Sequence, residues 1–370
     1  MMLQNARQTL PLFLLVLFTP LVFSLFWSAG DVLPSENRTA AESPELPGSL
    51  ADLRALPGAL EAYFSDHFGL REEMIRGWRK LHRNLDGNQS YRVLLGSDRW
   101  LFLTDGGVVE QNAGRRFNPA GVGALLATIA DLDALTTERG IPFAAMIAPN
   151  KHAIYGERLP AFARNTGLRT EFDALVEGAR AAGLLLIDPR YALREAAASR
   201  PVYWRGGTHW TPYGAALAFD AVVSAWGRED ARIDVETRFT GTVSEIKNRD
   251  LVGFAGLSGR LSEDVPQIDL FSDRPERAQT IRDLSDLDDR LEVPSYEMLI
   301  AGGGPTVLVI GDSFTRVIFR PFWNRFAGRI FWTHHSYGTF DRDVIDRVDP
   351  DYVLFVAVER FIGRWQNPDP

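Results

Sequence analysis

Three short, unbroken apolar runs constrain this chain more than anything else in it: FAAMIA at Phe143–Ala148, TVLVI at Thr306–Ile310 and YVLFVAV at Tyr352–Val358. A strand with one face in water alternates apolar and polar residues. A run without alternation must be covered on both faces, as parallel strands are beneath helices. Leu184–Ile187 and Arg329–Thr333 read as two further strands. Between the runs lie stretches of helical spacing at Gly121–Arg139, Arg169–Ala182, Pro212–Trp226 and Thr315–Phe326. This alternation predicts an α/β domain over residues 116–370, a parallel sheet between two helical layers. Residues 230–300 are irregular and polar and suggest no elements.

The upstream part is organised differently. Leu10–Trp27 carries no charge and follows Arg7, so residues 1–30 read as a signal-anchor, or as a cleaved signal, that puts the body of the protein outside the cytoplasm. Residues 31–57, rich in Pro, Ser, Glu and Ala, read as a linker into a short helical segment. Residues 58–115 form a helical extension leading into the core, with amphipathic helices over 58–86 and two short strands around a Gly-Ser-Asp turn within Val93–Leu103.

Composition removes several function classes. A net charge of -8 without a long Lys/Arg run argues against a nucleic-acid partner. The absence of cysteine excludes disulfides, thiolate zinc sites and a thiol nucleophile.

Two segments could carry chemistry. TVLVI runs into Gly311-Asp312-Ser313-Phe314 and then a helix, placing Ser313 where strand ends and free N–H groups meet ligands. Ser313 reads as a nucleophile whose own N–H helps to bind an oxyanion, or as a simple helix cap. WRGGTHWTPYGA, residues 204–215, holds His209, either a packed loop residue or the base that a serine nucleophile needs.

Taken in order, the motifs resemble the SGNH-hydrolase-like proteins of the alginate O-acetylation type, the AlgJ/AlgX group. They are Glu36-Asn37-Arg38, Asp66-His67-Phe68-Gly69-Leu70-Arg71, Gly96-Ser97-Asp98-Arg99-Trp100-Leu101-Phe102, Pro149-Asn150-Lys151 with Tyr155, Leu159 and Pro160, Gly207-Thr208-His209-Trp210, Gly311-Asp312-Ser313-Phe314 and Glu359-Arg360-Phe361. The resemblance implies a three-layer α/β/α (flavodoxin-like) fold with an N-terminal membrane anchor. It also implies an acyl-transfer site in permuted order, with Ser313 accepting an acetyl group and His209 moving the proton. The acceptor would be a secreted, alginate-like polysaccharide, the donor partner a membrane-bound O-acyltransferase, and the location the periplasmic face of the inner membrane. No cofactor or metal is implied. The chain ends soon after Arg360, which fits the anchored branch without an appended carbohydrate-binding domain.

One position departs from the pattern: the family's triad aspartate is Gly207 here. Loss of that acid costs about 10⁴-fold where such triads have been dissected. Asp250 is the leading substitute and Asp188 a second. A backbone carbonyl could instead orient His209, or the protein could have kept polysaccharide binding and lost chemistry. The same Ser/His site could also serve an acetyl-esterase. Asp312, adjacent to the serine, is expected to support the loop. Lys151 could meet an anionic sugar, or cap a helix or sit at a surface, and Arg316 could bind a uronate carboxylate or a surface acid. Trp204, Trp210, Tyr213 and Tyr337 could stack on sugars or pack.

Overall fold

The computed structural model describes residues 38–44, 46–71, 73–74, 92–273, 275–284 and 293–366, with short pieces at 19, 32–33 and 89–90. Apart from Thr19, the apolar run expected to anchor the chain lies outside the described residues, as do Glu36 and Asn37 and the helical pattern at 75–86. By compactness the chain divides into two units, residues 1–94 with 247–261, and residues 95–246 with 262–370.

In the smaller unit a helix spans Leu50–Asp66, starting before the expected end of the linker at 57. Ser49 caps it by accepting the Asp52 N–H at 3.2 Å, and Pro57 lies within it. A short helix, Asp250–Phe254, belongs to the same unit.

The larger unit is built on β1 (Phe143–Ala148), β2 (Leu186–Ile187), an outlying hairpin of β3 (Phe239–Ile246) and β4 (Ser262–Ile268), and then β5 (Gln279–Asp283), β6 (Tyr296–Ile300), β7 (Thr306–Gly311), β8 (Arg329–His334) and β9 (Tyr352–Val358). The central sheet runs β5-β6-β8-β7-β9-β1-β2. Five of these strands are parallel, whereas β6 pairs antiparallel with β8 and β5 with β6. The sheet is therefore mixed, not purely parallel as expected. Strands β3, β4, β5 and β6 fall in the stretch that suggested no elements. Two of them, β3 and β5, are largely exposed and so carry no continuous apolar run. Counted from β7 and continued through the start of the chain, the parallel strands have the order 2-1-3-4-5, with the switch point between β7 and β9.

Helices cover both faces. On one, α1 (Pro119–Glu138) and α3 (Glu171–Ala181) bury Leu125, Ile129, Leu132, Phe172 and Leu175 against Ile147, Ile310 and Phe355. Their starts are written locally. Asn118 caps α1 ahead of Pro119, and Thr170 with Asp173 forms a capping box on α3. On the other face α5 (Pro212–Ala225) meets Phe319, Phe322 and Trp323 through Phe219. The expected helix over 315–326 is instead one turn, α6 (Ser313–Arg316), followed by turns and a 3-10 segment at Phe322–Arg325. Pro321 supplies no N–H for a continuous helix, and the aromatic side chains dictate the path by burial.

Candidate active site

The loop 202–211 carries His209 and is held from several directions. Trp204 donates its N–H to the His209 carbonyl at 3.1 Å, and Thr211 donates to the Val202 carbonyl at 2.9 Å, closing a small antiparallel bridge between Tyr203 and Trp210. Thr211 then caps α5, with Pro212 in the first turn. Gly214 must be glycine here, because a Cβ would collide with the Val202 carbonyl.

Residues far away in sequence brace the tip of this loop. Lys151, opening the one-turn helix α2 (Lys151–Ile154) after β1, is only 3% exposed. Its ammonium donates to the carbonyls of Trp204 (3.1 Å), Arg205 (3.2 Å) and Gly207 (2.6 Å). The rings of Trp100 and Phe102 lie 5.6 and 5.2 Å from it. Leu101 donates its N–H to the Arg205 carbonyl at 3.0 Å, and the buried Glu263 carboxylate accepts the Gly206 N–H. The Tyr155 hydroxyl accepts the Val202 N–H at 2.9 Å. Two motifs of the pattern, at 96–102 and 149–160, thus meet on the loop of the third.

The turn that carries Ser313 is equally constrained. Asp312, not Ser313, caps α6 by accepting the Phe314 N–H at 2.9 Å, so Ser313 is the first helical residue, with its side chain exposed. The other Asp312 oxygen accepts the Val358 N–H at 2.8 Å and lies 3.5 Å from His335 Nε2. Burial alone would push this carboxyl up, but His335 and the Arg360 charge hold it below its usual range. Asp312 supports the loop, as expected.

Ser313 Oγ and His209 Nε2 lie 2.9 Å apart. His209 Nδ1 is 3.1 Å from Thr208 Oγ1. In the tautomer suited to a base, Nδ1–H donates to Thr208 and Nε2 accepts the serine proton. The Phe314 ring packs 4.8 Å from the imidazole, and the Arg360 guanidinium lies 5.5 Å from the same ring. The Trp210 indole donates to the Phe314 carbonyl at 3.1 Å, fastening the His209 loop to the Ser313 turn.

The other expected residues have varied positions. Trp210 and Tyr213 are fully buried and offer no face to a sugar. Trp210 packs against Phe314 and Phe319, and the Tyr213 hydroxyl donates to Glu236. Lys151, also expected to touch substrate, is enclosed and braces the loop. Asp188 accepts three bonds from the Arg190 guanidinium, so it is committed away from His209. Arg316 donates to the Pro294 carbonyl at 3.4 Å and lies over Trp332, while Tyr337 is half-buried with its ring 4.8 Å from Phe361. Asp250 opens its short helix in the smaller unit and accepts the Leu251 N–H at 3.0 Å. Sequence reasoning missed Glu263, which sits in a strand of mixed polarity where nothing marks one acid above its neighbours.

The fold is a three-layer α/β sandwich with a serine hydroxyl and an imidazole within hydrogen-bond reach at its switch point. A model of the SGNH hydrolase-like domain of the acetyltransferase AlgX matches residues 93–331, and the chain belongs to this family. The probable alginate O-acetylase AlgJ of Pseudomonas aeruginosa is 29% identical over 251 residues, 65% of this chain and 57% of that protein's length. Its counterpart from Pseudomonas putida is 26% identical over 307 residues, 80% of this chain and 71% of the relative. The solved structure of Bacillus cereus PatB1 is similar at a TM-score of 0.50 and 13% identity, covering 74% of this chain and 99% of that one, which shows the fold alone.

Proposed function

We propose that the protein is an O-acetyltransferase that acetylates hydroxyls of a secreted, alginate-like polysaccharide through an acetyl-serine at Ser313. The observation that carries this reading is the 2.9 Å approach of Ser313 Oγ to His209 Nε2 on a turn at the sheet's switch point. His209 takes the serine proton as Oγ attacks the acetyl carbonyl carbon. The tetrahedral oxyanion develops beside the Ser313 N–H, which has no partner among the described residues. The intermediate collapses with the donor's leaving group taking the proton from His209. An acceptor hydroxyl then gives its proton to His209 as it attacks the ester carbonyl, and His209 returns that proton to Oγ as the bond between Oγ and the acetyl carbon breaks. In this reading the donor partner is a membrane-bound O-acyltransferase, and the chain is anchored by its N-terminal apolar run with its body in the periplasm. Arg316 and Tyr337 remain candidates for acceptor contacts.

The acid is the open member of the site. Braces from Lys151 and Glu263 support a Ser–His dyad that keeps its geometry without an acid at 207. Gly207 is not among the residues at positive φ, so an aspartate there meets no left-handed backbone. Acetyl transfer from an activated acetyl ester to an oligouronate, compared with its hydrolysis, tests the reading in wild type, Gly207→Asp and Asp250→Ala. Transfer abolished by Ser313→Ala supports it. A loss of about 10²-fold or more in Asp250→Ala identifies Asp250 as the acid, and a gain in Gly207→Asp identifies an incomplete triad. Hydrolysis that acceptor never diverts into transfer makes the protein an esterase. No acyl chemistry in any variant leaves a binding protein.

A further inference from the structure

A cavity of about 920 Å³ opens beyond the carboxyl ends of β1 and β2, and neither Ser313 nor His209 lines it. It is within the size range of sites that enclose small ligands. Tyr191 and Arg194 both line it and stand three residues apart on α4 (Arg190–Ala197), so the ring and the guanidinium share a helix face. Tyr191 is 78% exposed. Arg194 is anchored by a 2.8 Å bond from Nε to the Ala153 carbonyl, which leaves both terminal amino groups without partners among the described residues. Arg164, also in the lining, donates from Nε to the Leu159 carbonyl (2.7 Å) and from one amino group to that of Glu157 (3.0 Å), leaving the other amino group uncommitted.

The remaining charges of the wall are largely matched within the protein. Arg190 is bound by Asp188 and Asp173, and Arg169 by Glu177. Glu157 pairs with Arg158 at 3.4 Å, and burial pushes the Glu359 carboxyl up to about 7. What the cavity still offers a ligand is guanidinium edge and an open aromatic face. That combination pairs with a carboxylate and stacks on the ring that bears it.

We infer that this cavity is a second acceptor subsite, which holds an acidic sugar residue of the polymer some distance along the chain from the hydroxyl acetylated at Ser313. The inference rests on the proposed function. One strand, β9, separates β7, which delivers Ser313, from β1. At a strand spacing of about 4.8 Å the near side of the cavity is roughly 10–15 Å from the serine, a span for a short oligosaccharide. The two places are joined through the chain: Glu359 lines the cavity while Arg360 lies beside Phe314, and His152 lines it while Lys151 braces the base loop.

Calorimetry with an oligouronate and its carboxyl-reduced counterpart tests this, using Ser313→Ala protein so that no turnover intervenes. The expected result is tighter binding of the acidic oligosaccharide, with that preference reduced about tenfold by Tyr191→Ala and by Arg164→Ala/Arg194→Ala. In the active protein the same variants raise KM for the polymer more than they lower kcat. Tyr191 is exposed and bears no internal contact that folding needs, so its variant keeps the test valid if the double variant fails to fold. Equal binding of acidic and neutral oligosaccharides, or affinities unchanged in both variants, overturns the subsite. Ser313-dependent acetyl transfer in the same preparation would then leave the proposed function standing. Conversely, an intact acidic preference without any Ser313-dependent chemistry would keep the cavity as a binding site and remove the transferase.

Discussion

A buried ammonium that meets three main-chain carbonyls holds a loop in one geometry, because each carbonyl would lose its partner if the loop moved. Lys151 does this for the tip that precedes His209. Lys151→Met is therefore expected to leave those carbonyls unsatisfied, at about 1–3 kcal/mol of stability, and to lower kcat by about 10²-fold through displacement of the imidazole. Steady-state kinetics with denaturant unfolding checks both. A kcat close to wild type would show that the loop keeps its place unaided. Lys151→Arg is expected to recover part of the loss, which a role in mere bulk packing would not predict. In sequence Lys151 reads as a charge at a strand end, open to a ligand. What decides its role is the convergence of carbonyls from a loop more than fifty residues on, and no local pattern carries that information.

At the scale of elements, the His209 loop and the Ser313 turn are fastened to each other by the Trp210 indole and the Phe314 carbonyl. Trp210→Phe preserves an aromatic core residue and deletes that bond. It is expected to cost about 1–3 kcal/mol and to lower kcat with little change in KM, read from unfolding curves and kinetics. An unchanged kcat would mean that α5 and α6 are positioned by packing alone. The elements that could be read from the chain were those with a complete local signature. The unbroken apolar runs of β1, β7 and β9 and the Thr211-Pro212 start of α5 all have one, whereas helical spacing alone places the start of α1 at Gly121, two residues inside its true start at Pro119. The exposed strands β3 and β5 lack it, because one-sided or absent burial leaves no continuous apolar run. The stretch after Ser313 misled for another reason. Its apolar spacing suits a helix, yet Phe319, Phe322 and Trp323 are placed by the aromatic cluster around Phe219. Ser313 and His209 were legible because each stands at a strand or helix boundary with small and turn-forming neighbours. Their pairing across 104 residues was legible only from the order of the motifs.

For the molecule as a whole, Glu359 links the sheet to its pH dependence. It is buried at the end of β9, accepts the Asn150 N–H at 2.7 Å, and is pushed up to about 7 from an ordinary 4.5. A carboxyl whose folded pKa is raised contributes stability that is fully present below 4.5 and lost as pH rises through 7. Glu359→Gln retains an acceptor for Asn150 and cannot ionise. The variant should gain on wild type, by up to about 3 kcal/mol, between conditions below pH 4.5 and above pH 7. Urea unfolding across that range measures it, and a constant difference between the two proteins would contradict the account. The most direct test of the central claim is mass spectrometry of the protein after brief exposure to an activated acetyl ester, with peptide mapping. The account predicts one acetyl group on Ser313, absent in Ser313→Ala, slow to form in His209→Gln, and discharged when an acidic oligosaccharide is added. A protein that turns over the ester while Ser313 is never acetylated, or that labels equally in Ser313→Ala, would contradict it.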